Sequence, residues 1–330
     1  RAVDLYREIL GIQPDHEPTL AALEGIKDGT RAPLAAAAVL EQVYDASADW
    51  EKLISVLEVQ ARFADDQYAQ VDLLHRIAGL YEDSLNDPQR AFDVYARSLS
   101  ADSQNEDTLG ALERLAMLTE RWPAVAALYD QELEKIVDEP ERLVELGLRV
   151  AQVYEVQLDD VEGAVARYRR VLEADPESRT ALTSLDRLFS QAGRWNELAE
   201  ILNKEAEIGE TPEDILEFKF RLGQLQEREL NDVDRAIEAY REVISAAPEH
   251  AATVEALEQL FERGVRQIEI GELLEPLYQA AGEWERLLSV REGQLAHLES
   301  LEERIALYHR MAEDAEERLL DADRAFAIQV

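Results

Sequence analysis

Trp50, Trp122, Trp195 and Trp284 are all the tryptophans of this 330-residue chain, and each opens the same phrase: WEKL, WPAV, WNEL, WERL. An apolar residue stands three positions later each time, at Leu53, Val125, Leu198 and Leu287. The tryptophans lie 72, 73 and 89 residues apart. Self-similarity at such a period marks stacked supersecondary units, because one unit alone cannot bury its apolar face. A single closed core is a poor fit to that pattern.

A second landmark fixes the register. The phrases RAVDLY, RAFDVY, GAVARY, RAIEAY and RAFAIQ place alanines at Ala2, Ala91, Ala164, Ala236 and Ala325, at intervals of 89, 73, 72 and 89 residues. Thirteen residues before the last four lies a small residue: Ala78, Ala151, Gly223 or Ala312. Four before lies Asp87, Asp160, Asp232 or Asp321. Four after comes Tyr6, Tyr95, Tyr168 or Tyr240, with Gln329 in the last unit, and twelve after comes Pro14, Pro176 or Pro248, replaced by Ser103 in the second.

The pattern predicts two antiparallel helices. Residues 73–85 carry apolar side chains at helical spacing, and the small residue lets the partner backbone approach. The aspartate suits an N-cap, since its carboxylate can accept from orphan amides, and the proline ends the second helix. Thr211 and Ser300 open capping-box-like starts of first helices. The 89-residue intervals carry 16 to 17 additional residues before the next tryptophan. Residues 22–50 align with 256–284, which predicts one inserted helix near 28–45 and another near 264–281, with altered curvature there.

A small residue, then alanine, tyrosine four on and proline twelve on resembles the tetratricopeptide repeat (TPR) family, in the style of large multi-repeat bacterial scaffolds. The chain departs by one extra residue between the helices (81–91) and by lacking an early tryptophan in the first helix. Its tryptophans belong instead to a second hairpin per unit, as in 181–202, where Leu198 takes the alanine's place. The resemblance covers nearly the whole chain. It implies an all-α fold, a right-handed α-α superhelical solenoid of TPR-like helical hairpins. One continuous solenoid is expected over 1–330, in units near 1–65, 66–138, 139–210, 211–298 and 299–330. Because Arg1 and Val330 both fall within a second helix, a segment of a longer array is expected.

Composition agrees. The 10 prolines and 14 glycines are scattered at helix ends with no linker between domains, and no alternation of period two predicts a sheet. Cysteine is absent, so disulfides and thiolate metal sites are excluded. The longest apolar run, 32–40, is far too short for a bilayer span. With 34 basic and 71 acidic residues the formal charge is -37, a field that repels nucleic acid and anionic membranes and favours basic partners or plain solubility. The cytoplasm is the expected location, with periplasm or envelope left open.

No motif for catalysis stands out: no phosphate-binding glycine loop, HExxH, GxSxG or cysteine nucleophile. The expectation is a non-enzyme without cofactor or metal. The five histidines do not group, although His16 matches His250 and His75 matches His309 in the repeat. Arginine recurs fifteen residues before each later alanine (Arg76, Arg149, Arg221, Arg310), and glutamate nine before (Glu82, Glu155, Glu227, Glu316). With so many carboxylates in reach, the arginines are read as ion pairs that set the register of successive hairpins. The tryptophans and tyrosines are read as packing residues.

If the resemblance holds, first helices line the concave face. The partner-binding candidates are then Asp72, His75 and Glu82 (with Gly79 between them), Glu145, Leu148, Gln152 and Glu155, and Glu217, Phe220, Gln224 and Glu227. This face is acidic with apolar spots, and lacks the lysine and asparagine clamp with which some family members hold a peptide carboxylate. The resemblance implies a protein-interaction scaffold for basic or amphipathic segments. The alternative is a structural component that self-associates into a filament or envelope complex.

Overall fold

The computed structural model describes residues 1–329, and among them are nineteen helices and no strand. Val330 and the Gln329 side chain, the departing residue of the tyrosine column, lie outside the described residues. The chain divides into two compact units, Arg1–Asp175 and Pro176–Val330. The first contains α1 (Ala2–Ile12), α2 (Glu17–Lys27), α3 (Pro33–Ala46), α4 (Trp50–Arg62), α5 (Gln67–Gly79), α6 (Pro88–Ala101), α7 (Glu106–Thr119), α8 (Trp122–Lys135), α9 (Pro140–Gln152) and α10 (Val161–Ala174). The second contains α11 (Arg179–Ala192), α12 (Trp195–Ile208), α13 (Pro212–Arg228), α14 (Val233–Ala246), α15 (Ala251–Glu262), α16 (Gln267–Ala281), α17 (Trp284–Leu295), α18 (Leu301–Glu317) and α19 (Ala322–Gln329).

Within each unit, helices pack chiefly against their neighbours in sequence, as a helical repeat requires. The first unit's core runs from Leu40, Leu53, Leu57, Leu74 and Ile77 into a second cluster around Phe92, Leu112, Leu115, Tyr129 and Val150. In the second unit Ile237, Tyr240, Leu257, Leu260, Leu274 and Leu287 share one cluster. The small residues sit where the backbones approach: Ala78, Ala91, Ala151, Ala164 and Ala236 are fully buried. At Gly223 a β-carbon would stand 2.5 Å from Cε1 of Tyr240. Ala2 departs from its column and is exposed, since no facing first helix lies within the described residues.

The extra residue between the helices is absorbed by a widened turn. The amides of Leu85, Leu158, Leu230 and Leu319 donate to carbonyls five residues back, at Leu80, Val153, Leu225 and Asp314. The next residue, Asn86, Asp159, Asn231 or Leu320, takes a left-handed φ of 50 to 56°. The following aspartate amide then reaches six residues back, to Tyr81, Tyr154, Gln226 or Ala315. Each aspartate side chain caps the second helix, accepting from the amides of Arg90, Gly163, Arg235 and Arg324 at 3.0, 2.9, 3.2 and 2.9 Å. Thr211 and Ser300 accept from the amides of Asp214 and Glu303, the hydroxyl half of the expected box.

The tryptophans each begin a helix after a tight turn whose left-handed residue lies two positions earlier: Ala48, Glu120, Gly193 and Gly282. The indole rings are half-buried rims, whereas Leu53, Val125, Leu198 and Leu287 go fully inside. Glycine alone adopts this φ without a β-carbon clash, which costs other residues about 1–2 kcal/mol. Part of that gain is returned as unfolded-chain entropy. Glu120→Gly should therefore stabilise the chain by roughly 0.5–1 kcal/mol in urea denaturation. The inserted helices are present as α3 and α16. Each carries a tyrosine whose hydroxyl donates to a glutamate of the helix before, Tyr44 to Glu24 and Tyr278 to Glu258.

Candidate partner-binding surface

The candidate residues lie on α5, α9 and α13 and just beyond, at equivalent repeat positions. Asp72, Glu145 and Glu217 are exposed and make no hydrogen bond or ion pair among the described residues. One turn on, the position is turned inward. The His75 ring is half-buried, with Nε2 2.6 Å from the Thr108 hydroxyl and an edge contact to Tyr95, and burial lowers its pKa. Leu148 is half-buried, and Phe220 is buried between Tyr240 and His250, so it serves packing rather than an apolar spot on the surface. Gln152 is exposed and Gln224 half-buried.

Three members of the glutamate column are engaged within the chain, whereas Glu316 in the last repeat is exposed and makes no hydrogen bond or ion pair among the described residues. Glu155 and Glu227 accept from the hydroxyls of Tyr168 and Tyr240, each at 2.9 Å. Glu227 also pairs with Arg263 at 2.5 Å, and Glu82 with Arg114 of α7. Tyr240 consequently titrates far above its ordinary range, through burial first and the Glu227 charge second. Glu155 and Glu227 thus tie first helix to second helix, and Glu82 ties its first helix to α7.

The arginines form register-setting ion pairs with the helix two before. Arg76 pairs with Glu41, Arg149 with Glu106 and Glu113 at 2.7 and 3.4 Å, and Arg221 with Asp186 at 2.8 Å. Glu41, Glu113 and Asp186 each lie nine residues before a tryptophan, a column that sequence reading missed. The last repeat departs. Arg310 is exposed and unpaired among the described residues, and the acid of that column, Glu275, is held by Arg291. The histidines do not converge: His16 and His250 stand before α2 and α15 with Nδ1 2.8 and 2.7 Å from Thr19 and Thr253, and His309 is exposed. Among the described residues, no three His, Cys, Asp or Glu are grouped to hold a metal ion, and no helix is long and apolar enough to cross a membrane.

Glu205 of α12 is a further site that sequence reading missed. It is 5% exposed, and its Oε2 has no hydrogen-bond partner among the described residues. Burial first, and the Asp186 carboxylate second, push its pKa up to about 7 against an opposing pull from Arg221. A folded value above the unfolded 4.5 means the native state holds an extra proton in that window, so stability falls as pH rises from 4.5 and the loss is complete above 7. Glu205→Gln removes that loss. Urea denaturation should show a gain on the order of 2 kcal/mol at pH 8 that shrinks towards pH 5.5.

Comparison with known proteins bears on the fold. Residues 218–250 match the tetratricopeptide repeat family model; they hold Gly223, Ala236, Tyr240 and Pro248. No curated protein matches the chain. Among solved structures, it is similar to YrrB, described as a TPR protein with an unusual peptide-binding site, at 16% identity over 56% of this chain and 91% of that one, TM-score 0.31. It is also similar to the C-terminal part of a TPR repeat-containing protein from Cytophaga hutchinsonii, at 11% identity over 76% and 97%, TM-score 0.35. A third is Pseudomonas aeruginosa pilF, at 15% identity over 72% and 99%, TM-score 0.30. With its small-residue, alanine, tyrosine and proline register built as paired antiparallel helices, and one such pair matching the family model, the chain is a TPR-like all-α helical-repeat protein.

Proposed function

We propose that this chain is a non-catalytic scaffold that captures other proteins, and that it takes basic or amphipathic segments against the first helices. The observation that carries this reading is selective: of the repeated acidic positions, Asp72, Glu145 and Glu217 keep exposed carboxylates that make no hydrogen bond or ion pair among the described residues, while Glu82, Glu155 and Glu227 are tied up internally. A formal charge of -37 adds long-range attraction for cations and disfavours nucleic acid. The test is fluorescence anisotropy with a Lys/Arg-rich peptide against the chain carrying Asp72→Lys, Glu145→Lys and Glu217→Lys. Affinity should fall at least about tenfold at 0.1 M salt. Unchanged affinity would sink the reading.

Self-association into a larger assembly is the second reading, favoured by Met117 and Leu118, which stand 75% and 65% exposed at the end of α7. Light scattering across protein concentration separates the two: growth in mass that Met117→Lys abolishes supports assembly.

A further inference from the structure

The position ten residues after each tryptophan is polar in every repeat: Gln60, Glu132, Glu205 and Gln294. Three of the four are satisfied inside the chain. Gln60 donates to Glu41 at 2.7 Å, and Gln294 to the Ile268 carbonyl at 3.5 Å. Glu132, buried like Glu205, accepts from the ammonium of Lys135 at 2.7 Å. In the second unit the residue equivalent to Lys135 is Ile208, and Glu205 makes no ion pair among the described residues.

Space accompanies the vacancy in charge. Glu205, Leu182, Thr183, Ile208 and Phe218 line a cavity of about 160 Å³ among α11, α12 and α13. That is room for one slender side chain, equivalent to about five waters of bulk volume. Its walls suit a methylene stem and its carboxyl suits an ammonium. Arg179, which also borders the cavity, is engaged by Glu210 at 2.9 Å and by the Ile208 carbonyl at 3.3 Å. Asp214 on α13 adds a second carboxylate to the lining.

We propose that this cavity is a socket for a lysine side chain of a partner protein, whose ammonium does for Glu205 what Lys135 does for Glu132. The socket rests on the interaction reading above but uses a different set of residues. The charged groups acting on Glu205 are Asp186 from α11 and Arg221 from α13, and Arg179 and Asp214 share the cavity lining with it. Since the ammonium binds the ionised carboxyl, and that group titrates at about 7, binding should be roughly tenfold tighter at pH 8 than at pH 6.

The experiment titrates N-acetyl-lysine methylamide, and its neutral analogue N-acetyl-norleucine methylamide, into the methyl-labelled chain by NMR. Saturable shifts at Leu182, Thr183 and Ile208 are expected with lysine and not with norleucine. They should weaken at least tenfold in Glu205→Gln and at pH 6. Ile208→Lys supplies the ammonium internally, and should abolish the lysine response while leaving the chain folded. Equal response to both probes, or shifts indifferent to Glu205→Gln, would overturn the socket. A basic peptide whose binding is lost in Glu217→Lys but untouched in Glu205→Gln would also overturn it, and would leave the surface reading standing.

Discussion

Gly223→Val is expected to destabilise the second unit by about 3 kcal/mol, the upper end of the usual range for overpacking. A β-carbon alone would stand 2.5 and 2.7 Å from Cε1 and Cδ1 of Tyr240, and valine adds two methyls beyond it. The ring cannot step aside. It is fully buried, its hydroxyl donates to Glu227 at 2.9 Å, and Phe220 packs on it with centroids 6.0 Å apart. Glycine inside a helix ordinarily costs about 1 kcal/mol relative to alanine. Gly110→Ala in α7, where a β-carbon meets nothing within 4 Å, should therefore gain about that much. Gly223→Ala should lose stability despite the better propensity. Urea denaturation of both variants reads the sign directly, and a gain at Gly223 would show that the two helices are not in such close approach.

Arg291→Leu is expected to cost on the order of 3–5 kcal/mol. Arg291 is 2% exposed on α17 and bridges Glu275 of α16, at 3.1 Å, to Asp314 of α18. Removing it strands two carboxylates, both at most 20% exposed, without a cation. Replacing all three with Met or Leu should recover most of the stability, because the desolvation of every charge is then avoided. Breaking Arg97–Glu58, whose side chains are 51% and 31% exposed, should cost less than about 1 kcal/mol.

The hairpins were legible because their constraints are local and steric. A small residue, an aspartate cap and a helix-ending proline each act within one turn, so spacing alone locates them. Ion-pair partners were harder. Arg76, Arg149 and Arg221 stood out among few cations, while Glu41, Glu113 and Asp186 were hidden among 71 acids. The internal partners of Glu155 and Glu227 were hidden in the same way. Their fixed separation of thirteen residues from Tyr168 and Tyr240 was present in the sequence, but which hydroxyl meets which carboxylate depends on how the helices face. Phe220 illustrates the other difficulty, since helical periodicity does not say which of two neighbouring faces closes over an aromatic ring. Glu205 could have been found by setting Glu132 and Lys135 beside Glu205 and Ile208 in the repeat register.

Hydrogen exchange by mass spectrometry on Gly223→Val tests the nearest-neighbour construction most directly. If each helical pair hides its apolar face only against the pairs that flank it, α13, α14 and their immediate neighbours lose protection while α18 keeps it. Simultaneous, equal loss of protection through α18 would mean one cooperative core and would contradict the repeat reading.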